Sequence, residues 1–391
     1  MRILYLINAP GPLVSGAGLR MLRLAAHDAD VGRDVCVGAP AGSGVHAAAA
    51  ARGIASVEVP MSLGLRPARA ARRAVAGFAP DIVHAMSLAP AVLAGLLRKD
   101  RPCRPCVFVS ILVDPMSPLP MERRRFRAAA MRTRNRAMRR YGRRADAIFA
   151  VSEVVAEHLR RLGTGGRVVV VPDCVDIAGL RARAAEPIEL PEGRPRIGTA
   201  AATLVPGKGP DVLLRAFARV LEHHPDAVCL FAGEPDPSLD LVALAESLGV
   251  AGHVHLLGFL DDPAPFIAAL DIYALASLSE GLNTSVIEAA SIGTPVVACR
   301  VGGLPEVVED GRTGLLVAPG DPDVFAGGLM RLLQDPPSAA RMAQAGRARA
   351  EERFDCRRCD PTEAEYARAL AATAPGVTAP GRPAPDDPAD A

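Results

Sequence analysis

Short, continuously apolar runs alternate along this chain with longer segments that are apolar on one side only. Residues 2–7, 34–37, 55–59, 82–84, 107–113 and 167–171 read as strands. They are too uniformly apolar to keep a wet face, which suits a parallel sheet buried on both sides. Helices are predicted between them over 19–29, 45–51, 67–76 and 153–162. A polar stretch at 181–194, rich in Pro and Glu, interrupts the series and marks the expected domain boundary. Beyond it, strands at 196–199, 228–232, 254–257, 271–274 and 296–299 alternate with helices at 210–221, 263–270, 286–292, 323–333 and 338–349. The pattern predicts an α/β chain with domains over 1–185 and 190–355. A helix over 360–372 follows, and the Pro-, Ala- and Asp-rich tail 375–391 is expected to be disordered.

Candidate chemistry concentrates in residues 276–319, which parse as polar loop, helix, strand, helix, strand. Asn283, Thr284 and Ser285 are good N-caps, and the apolar run that follows stops at Gly293, a common C′ residue. The loop carries Glu280, and the second turn of the helix carries Glu288. Free backbone amides of Leu282 to Ser285 face the same space as these carboxylates, and Gly281 beside them is a further donor-binding candidate. Helix N-termini attract anions, so a phosphate belongs there. A carboxylate beside it can accept both hydroxyls of a ribose diol. The arrangement suits a nucleoside diphosphate joined to a group with many hydroxyls.

Glu280, seven residues, Glu288, then Gly293-Thr-Pro-Val-Val-Ala and Gly302-Gly-Leu-Pro-Glu-Val-Val, resembles the donor-site signature of family 4 retaining glycosyltransferases. The resemblance is firm over about residues 198–320. It implies the GT-B architecture: two facing Rossmann-like domains, the last helix crossing back onto the first. It also implies transfer of a sugar from a nucleoside diphosphate to an acceptor hydroxyl, with retention and without a metal ion or other cofactor. Glu288 is then expected to hold the ribose, and Glu280 the sugar hydroxyls near the reacting carbon. Lys208, between two glycines before a helix, is expected to meet the donor diphosphate, and Thr203 stands where relatives usually carry Arg. Thr203 adds no charge, so leaving-group stabilisation is either weaker or supplied by another Arg. Gly16 and Gly18, in a loop spanning 11–18, resemble the glycine-rich loop that faces the diphosphate across the cleft. The acidic residue usual near the start of the following helix is replaced by Leu19-Arg20. His84, expected at a strand end, is the acceptor-side candidate, with a buried core role as its alternative. Leu112 stands where relatives place His near the donor sugar, and Asp173-Cys174 replace Asn-Gly.

Composition narrows the rest. The 391 residues carry a net charge of +2 and are 50% hydrophobic, enough for two cores and no reason to expect a nucleic-acid partner. Lysine occurs only at Lys99 and Lys208, which makes a lysine at a phosphate position informative. The first apolar run is too short for a signal peptide and none is long enough to span a bilayer, so a cytoplasmic location is expected. Residues 122–144 hold eleven arginines beside a narrow apolar stripe, a helix pattern compatible with contact to an anionic membrane surface or with a solvated flank. The pairs Cys103/Cys106 and Cys356/Cys359 lie too far apart in sequence to argue for a metal, and Asp28 and Asp30 read as helix-flanking residues. Rival readings are a nucleotide-sugar epimerase of similar shape, disfavoured by Leu112, and a catalytically silent binding subunit.

Overall fold

The computed structural model describes residues 1–14, 16–61, 73, 77–86, 90, 106–111, 135–136, 138–139, 145–164, 167–357 and 362–373. Expected features over most of 67–76 and of 122–144, at Leu112, at Cys103 and Cys359 and over 375–391 lie outside them.

The apolar runs form two parallel sheets. Strands β1 (Arg2–Ile7), β2 (Asp34–Ala39), β3 (Ala55–Glu58), β4 (Ile82–Met86), β5 (Cys106–Ile111), β6 (Ala147–Ala150) and β7 (Arg167–Val170) pair in the order β3-β2-β1-β4-β5-β6-β7. Strands β8 (Arg196–Leu204), β9 (Val228–Pro235), β10 (Val254–Gly258), β11 (Ile272–Leu275), β12 (Val296–Cys299) and β13 (Leu315–Val317) pair as β10-β9-β8-β11-β12-β13. Each order reverses once, between β1 and β4 and between β8 and β11. In such sheets ligands settle beyond the carboxyl ends of the strands at that reversal.

The helices in the first half are α1 (Gly16–Asp30), α2 (Gly44–Ala50), α3 (Glu153–Arg161) and α4 (Ile177–Ala184). In the second half they are α5 (Pro210–Leu221), α6 (Leu241–Ser247), α7 (Ala264–Ala268), α8 (Thr284–Ile292), α9 (Leu304–Val307), α10 (Pro322–Gln334) and α11 (Pro336–Arg353). The last, α12 (Thr362–Thr373), lies against the first sheet. Buried residues form three clusters. One fills the α1/α2 side of the first sheet and includes Tyr366 of α12. Another fills the α5/α10 side of the second sheet. The third runs from the remaining face of one sheet to that of the other through Val175, Ile177, Leu180, Leu304 and Phe354. The two halves therefore share continuous apolar contact, and no helix among the described residues is long and apolar enough to cross a membrane.

Four local outcomes differ from the sequence expectations. Helix α1 begins at Gly16, so Gly16 and Gly18 occupy its first turn and not a loop. First-turn amides have no intrahelical partner, and a helix tolerates glycine there at modest cost. Strand β8 runs on past Thr199 to Leu204, with a register shift between Ala200 and Thr203. The expected linker starts inside α4, because Asp176 caps that helix at Gly179 N (3.1 Å) and Ile177 and Leu180 are buried. Arg181 then donates to Ser291 O (2.8 Å) and pairs with Glu351 (2.5 Å), and Arg183 pairs with Asp262 (2.8 Å), so α4 packs with the second half. Finally, β4 extends to Met86, which puts His84 inside the sheet between Tyr5 and Phe108.

Candidate active site

The loop after β8 and the loop after β11 flank the reversal in the second sheet, and they bring Lys208 to Glu280. Lys208 closes a short 3₁₀ turn, and Gly209 follows with φ +64. A Cβ on Gly209 would stand 2.1 Å from Ala276 O, so only glycine lets this turn press against the end of β11. Leu278 N donates to Gly207 O (2.9 Å), tying the two loops together. Lys208 Nζ donates to Glu280 Oε1 at 2.7 Å. Ser277 Oγ (2.7 Å) and Asn283 Nδ2 (2.9 Å) donate to the same oxygen. With three donors on Oε1, the 7%-exposed carboxylate has one fixed orientation and keeps Oε2 for another partner.

Asn283 is the N-cap of α8: its Oδ1 accepts from Val286 N (3.1 Å) and from Ser285 Oγ (2.7 Å). Its φ of +82 is unusual for a residue with a side chain and turns the chain sharply from loop into helix. Tyr273 OH lies 2.6 Å from Ser285 Oγ and anchors the first turn to β11; burial holds its pKa at about 12. The first-turn amides of Thr284 and Ser285 have no partner within the helix and open beside Glu280. Leu282 is 1% exposed, so it offers the site backbone only. Behind this loop a Cβ on Gly302 would stand 1.7 Å from Glu280 O, and Gly303 N donates to Gly281 O (3.1 Å).

The first half closes the other wall. Glu288 of α8 meets Arg23 of α1 at 3.6 Å. Burial pushes the Glu288 carboxyl up from its ordinary range, and the charges of Arg23 and Arg183 oppose that rise. One turn earlier, Arg20 pairs with Asp173 and donates to Val171 O (2.9 Å). Thr284 Oγ1 lies 3.5 Å from the other oxygen of Asp173. Ser152, the N-cap of α3, donates to Gly281 O (2.9 Å). Glu306 accepts from Glu153 N (3.1 Å) and Val154 N (3.3 Å), so a carboxylate of the second half caps a helix of the first.

Of the sequence candidates, the structure gathers Lys208, Glu280, Gly281, Leu282, Asn283, Thr284, Ser285 and Glu288 into this cleft. Gly16 and Gly18 begin the helix that carries Arg20 and Arg23. Thr203 sits at the bulged end of β8, in register with Glu234. His84 is corrected: it is fully buried, with Nδ1 2.5 Å from Tyr366 OH, and it stacks on Tyr5. Burial, and then the charge of Arg20, lower its pKa to about 3, so it is a neutral core residue of the α12 contact and does not face an acceptor. Sequence reasoning missed Ser152, Asp173, Ser277 and Glu306. The signal for Arg20 and Arg23 was their three-residue spacing, which puts both on one face of α1. For Asp173 it was the departure from Asn.

Two family models match end to end: Glycosyltransferase Family 4 over residues 14–178 and Glycosyl transferases group 1 over 183–349. The D-inositol 3-phosphate glycosyltransferase of Actinosynnema mirum is 38% identical over 228 residues, 52% of this chain and 52% of that protein. Its namesake in Corynebacterium diphtheriae is 42% identical over 149 residues, 35% of this chain and 34% of that protein. The chain thus spans between a third and about half of the length of these curated relatives. Among solved structures, HepE of Anabaena in complex with UDP superposes with a TM-score of 0.75 at 23% identity, covering 94% of this chain and all of that one. That likeness shows the GT-B fold. The chain belongs to the group 1, family 4 glycosyltransferases.

Proposed function

We propose that the cleft binds a nucleoside diphosphate sugar and transfers its glycosyl unit to an acceptor hydroxyl with retention and without a metal ion. The observation that carries this reading is the Lys208–Glu280 pair set against the open N-terminus of α8, with Glu288 one turn behind. An anion on that helix end draws on its amides and on a lysine point charge. Glu288 then lies where a carboxylate grips the ribose diol, and Glu280 Oε2 points a second acceptor at sugar hydroxyls. HepE of Anabaena was solved with UDP and glucose, which supports a nucleotide-sugar donor in this fold.

In the transfer, the bond from the anomeric carbon to the diphosphate oxygen breaks and a bond to the acceptor oxygen forms on the same face. The acceptor proton moves to the departing phosphate oxygen. Lys208 and the amides of Thr284 and Ser285 stabilise the negative charge that grows on that oxygen. Contact between the halves through Ser152 and Glu306 keeps water from the reacting carbon. The reading places the protein in the cytoplasm, with segment 122–144 either a solvated flank of the cleft or a contact with an anionic membrane. Vesicle flotation with anionic against zwitterionic lipid tests that contact.

The deciding measurement is thermal stabilisation by a panel of nucleoside diphosphates, with Glu288→Ala and Lys208→Ala alongside. At a hundred times Kd a ligand adds about 2.7 kcal/mol to the folded state. The expected result is a rise in midpoint with one nucleotide that both variants lose. No rise with any nucleotide refutes the donor site and favours a silent subunit.

A further inference from the structure

The first half of the chain carries a charged device that the donor-site reading leaves unused. Arg20 and Asp173 are a nearly dry ion pair, with side chains 11% and 15% exposed. Both belong to the first half, on α1 and just after β7, yet the pair faces α8 of the second. One oxygen of Asp173 takes the Arg20 guanidinium, and the other lies 3.5 Å from the hydroxyl of Thr284, the first residue of α8. A carboxylate thus lies between a cation and the positive end of a helix, which are the two partners a phosphate would choose there. Among the described residues, the cations around this helix end are matched by carboxylates: Lys208 by Glu280, Arg20 by Asp173, Arg23 by Glu288 and, beside Glu288, Arg183 by Asp262. A diphosphate entering this ring needs a cation to give up its carboxylate. Glu280 is held by Ser277 and Asn283 as well as by Lys208. Among the described residues, Asp173 instead rests on its arginine and one long hydroxyl contact.

We propose that Asp173 stands in for a donor phosphate on Arg20 and Thr284, and that Arg20 exchanges it for the diphosphate when the donor binds. The inference rests on the donor-site reading. Arg20 then supplies the phosphate charge that Thr203, a neutral residue on β8, does not. Asp173 keeps the guanidinium paired and oriented in the meantime, and it competes with the ligand.

Calorimetric titration of the full chain with UDP, ADP, GDP and inorganic pyrophosphate tests this, using wild type, Arg20→Gln, Arg20→Lys and Asp173→Asn. A wild type that binds none of these probes defeats the donor-site reading itself. Given binding, Arg20→Gln is expected to lose roughly tenfold or more in affinity for the diphosphates and pyrophosphate, and Arg20→Lys less. Asp173→Asn, nearly isosteric, is expected to tighten binding severalfold, because the competing charge is gone. Unchanged affinity in Arg20→Gln overturns the proposal, as does an Asp173→Asn protein that binds as wild type or more weakly. Should Arg20→Gln fail to fold, the Asp173→Asn result decides, since a purely structural ion pair predicts no gain in affinity.

Discussion

Glu306 offers a direct test of how the two halves hold each other. The first-turn amides of helix α3, at Glu153, Val154 and Val155, have no intrahelical partners, and the fold satisfies all three. Val155 N donates to Ser152 Oγ, while Glu153 N and Val154 N donate to Glu306 across the cleft. Cap deletion costs about 0.5–2 kcal/mol, and a carboxylate at a helix N-terminus adds about 0.3–1 kcal/mol where it is exposed. Glu306 is half-buried and water replaces it when the halves part, so Glu306→Ala should weaken closure by about 1–1.5 kcal/mol. That is a five- to tenfold change in the closed-to-open ratio, by about 1.4 kcal/mol per decade. Fluorescence energy transfer between one dye on each half should show a broader, longer distance distribution in the variant, with the difference shrinking at saturating nucleotide. Glu306→Gln keeps one good acceptor and should fall between. An unchanged distance distribution in Glu306→Ala at an unchanged thermal midpoint would refute the cap as a latch.

Other substitutions separate the roles inside the cleft. Glu280→Gln should cut transfer by roughly a hundredfold while affinity for the nucleoside diphosphate alone holds or rises, since Lys208 loses its counter-charge; steady-state kinetics beside titration calorimetry checks the split. Asn283→Gly relieves a positive φ worth about 1 kcal/mol, against a few tenths lost at the N-cap and about 0.5–1.5 kcal/mol for the hydrogen bond to Glu280 Oε1. The thermal midpoint should therefore move little, whereas turnover drops because Glu280 loses a donor. His84 ties stability to pH in a definite direction. Its folded pKa of about 3 lies below the ordinary histidine value, so between those values the unfolded chain binds the extra proton. Its contribution is fully present above about pH 6.5 and falls as pH drops toward 3, by about 2 kcal/mol at pH 5 from 1.36 kcal/mol per pH unit. Denaturant titrations at pH 7 and pH 5 should show His84→Gln losing less than wild type, and equal losses would remove His84 as the cause.

The second half was largely legible because its signals are local. Helix α5 runs over Pro210–Leu221 as the pattern predicts, and Gly293 ends α8 with φ +98. A cap, a stop glycine and an apolar run act within a few residues, so their meaning survives in one dimension. The strand positions of both sheets were readable for the same reason, apart from β6, which the pattern did not single out. Strand order was not, since any of several neighbours satisfies an apolar strand equally well.

His84 shows where local reading stops. A histidine at the end of an apolar run looks alike in sequence whether it faces a cleft or a core. Here Tyr366, 282 residues away, decides the matter by bringing a hydroxyl to its ring and removing it from water. Arg20, Asp173 and Glu306 follow the same rule: each acts only through a partner from another part of the fold. The amino-acid sequence by itself determined the α/β alternation, the spacing of the carboxylates Glu280 and Glu288, and the position of Lys208 between two glycines before a helix, because these depend on spacing along single elements. Only the tertiary structure decided which charges face each other across the cleft, since a Coulomb or hydrogen-bond partner is chosen by distance in space, and distance along the chain does not set it.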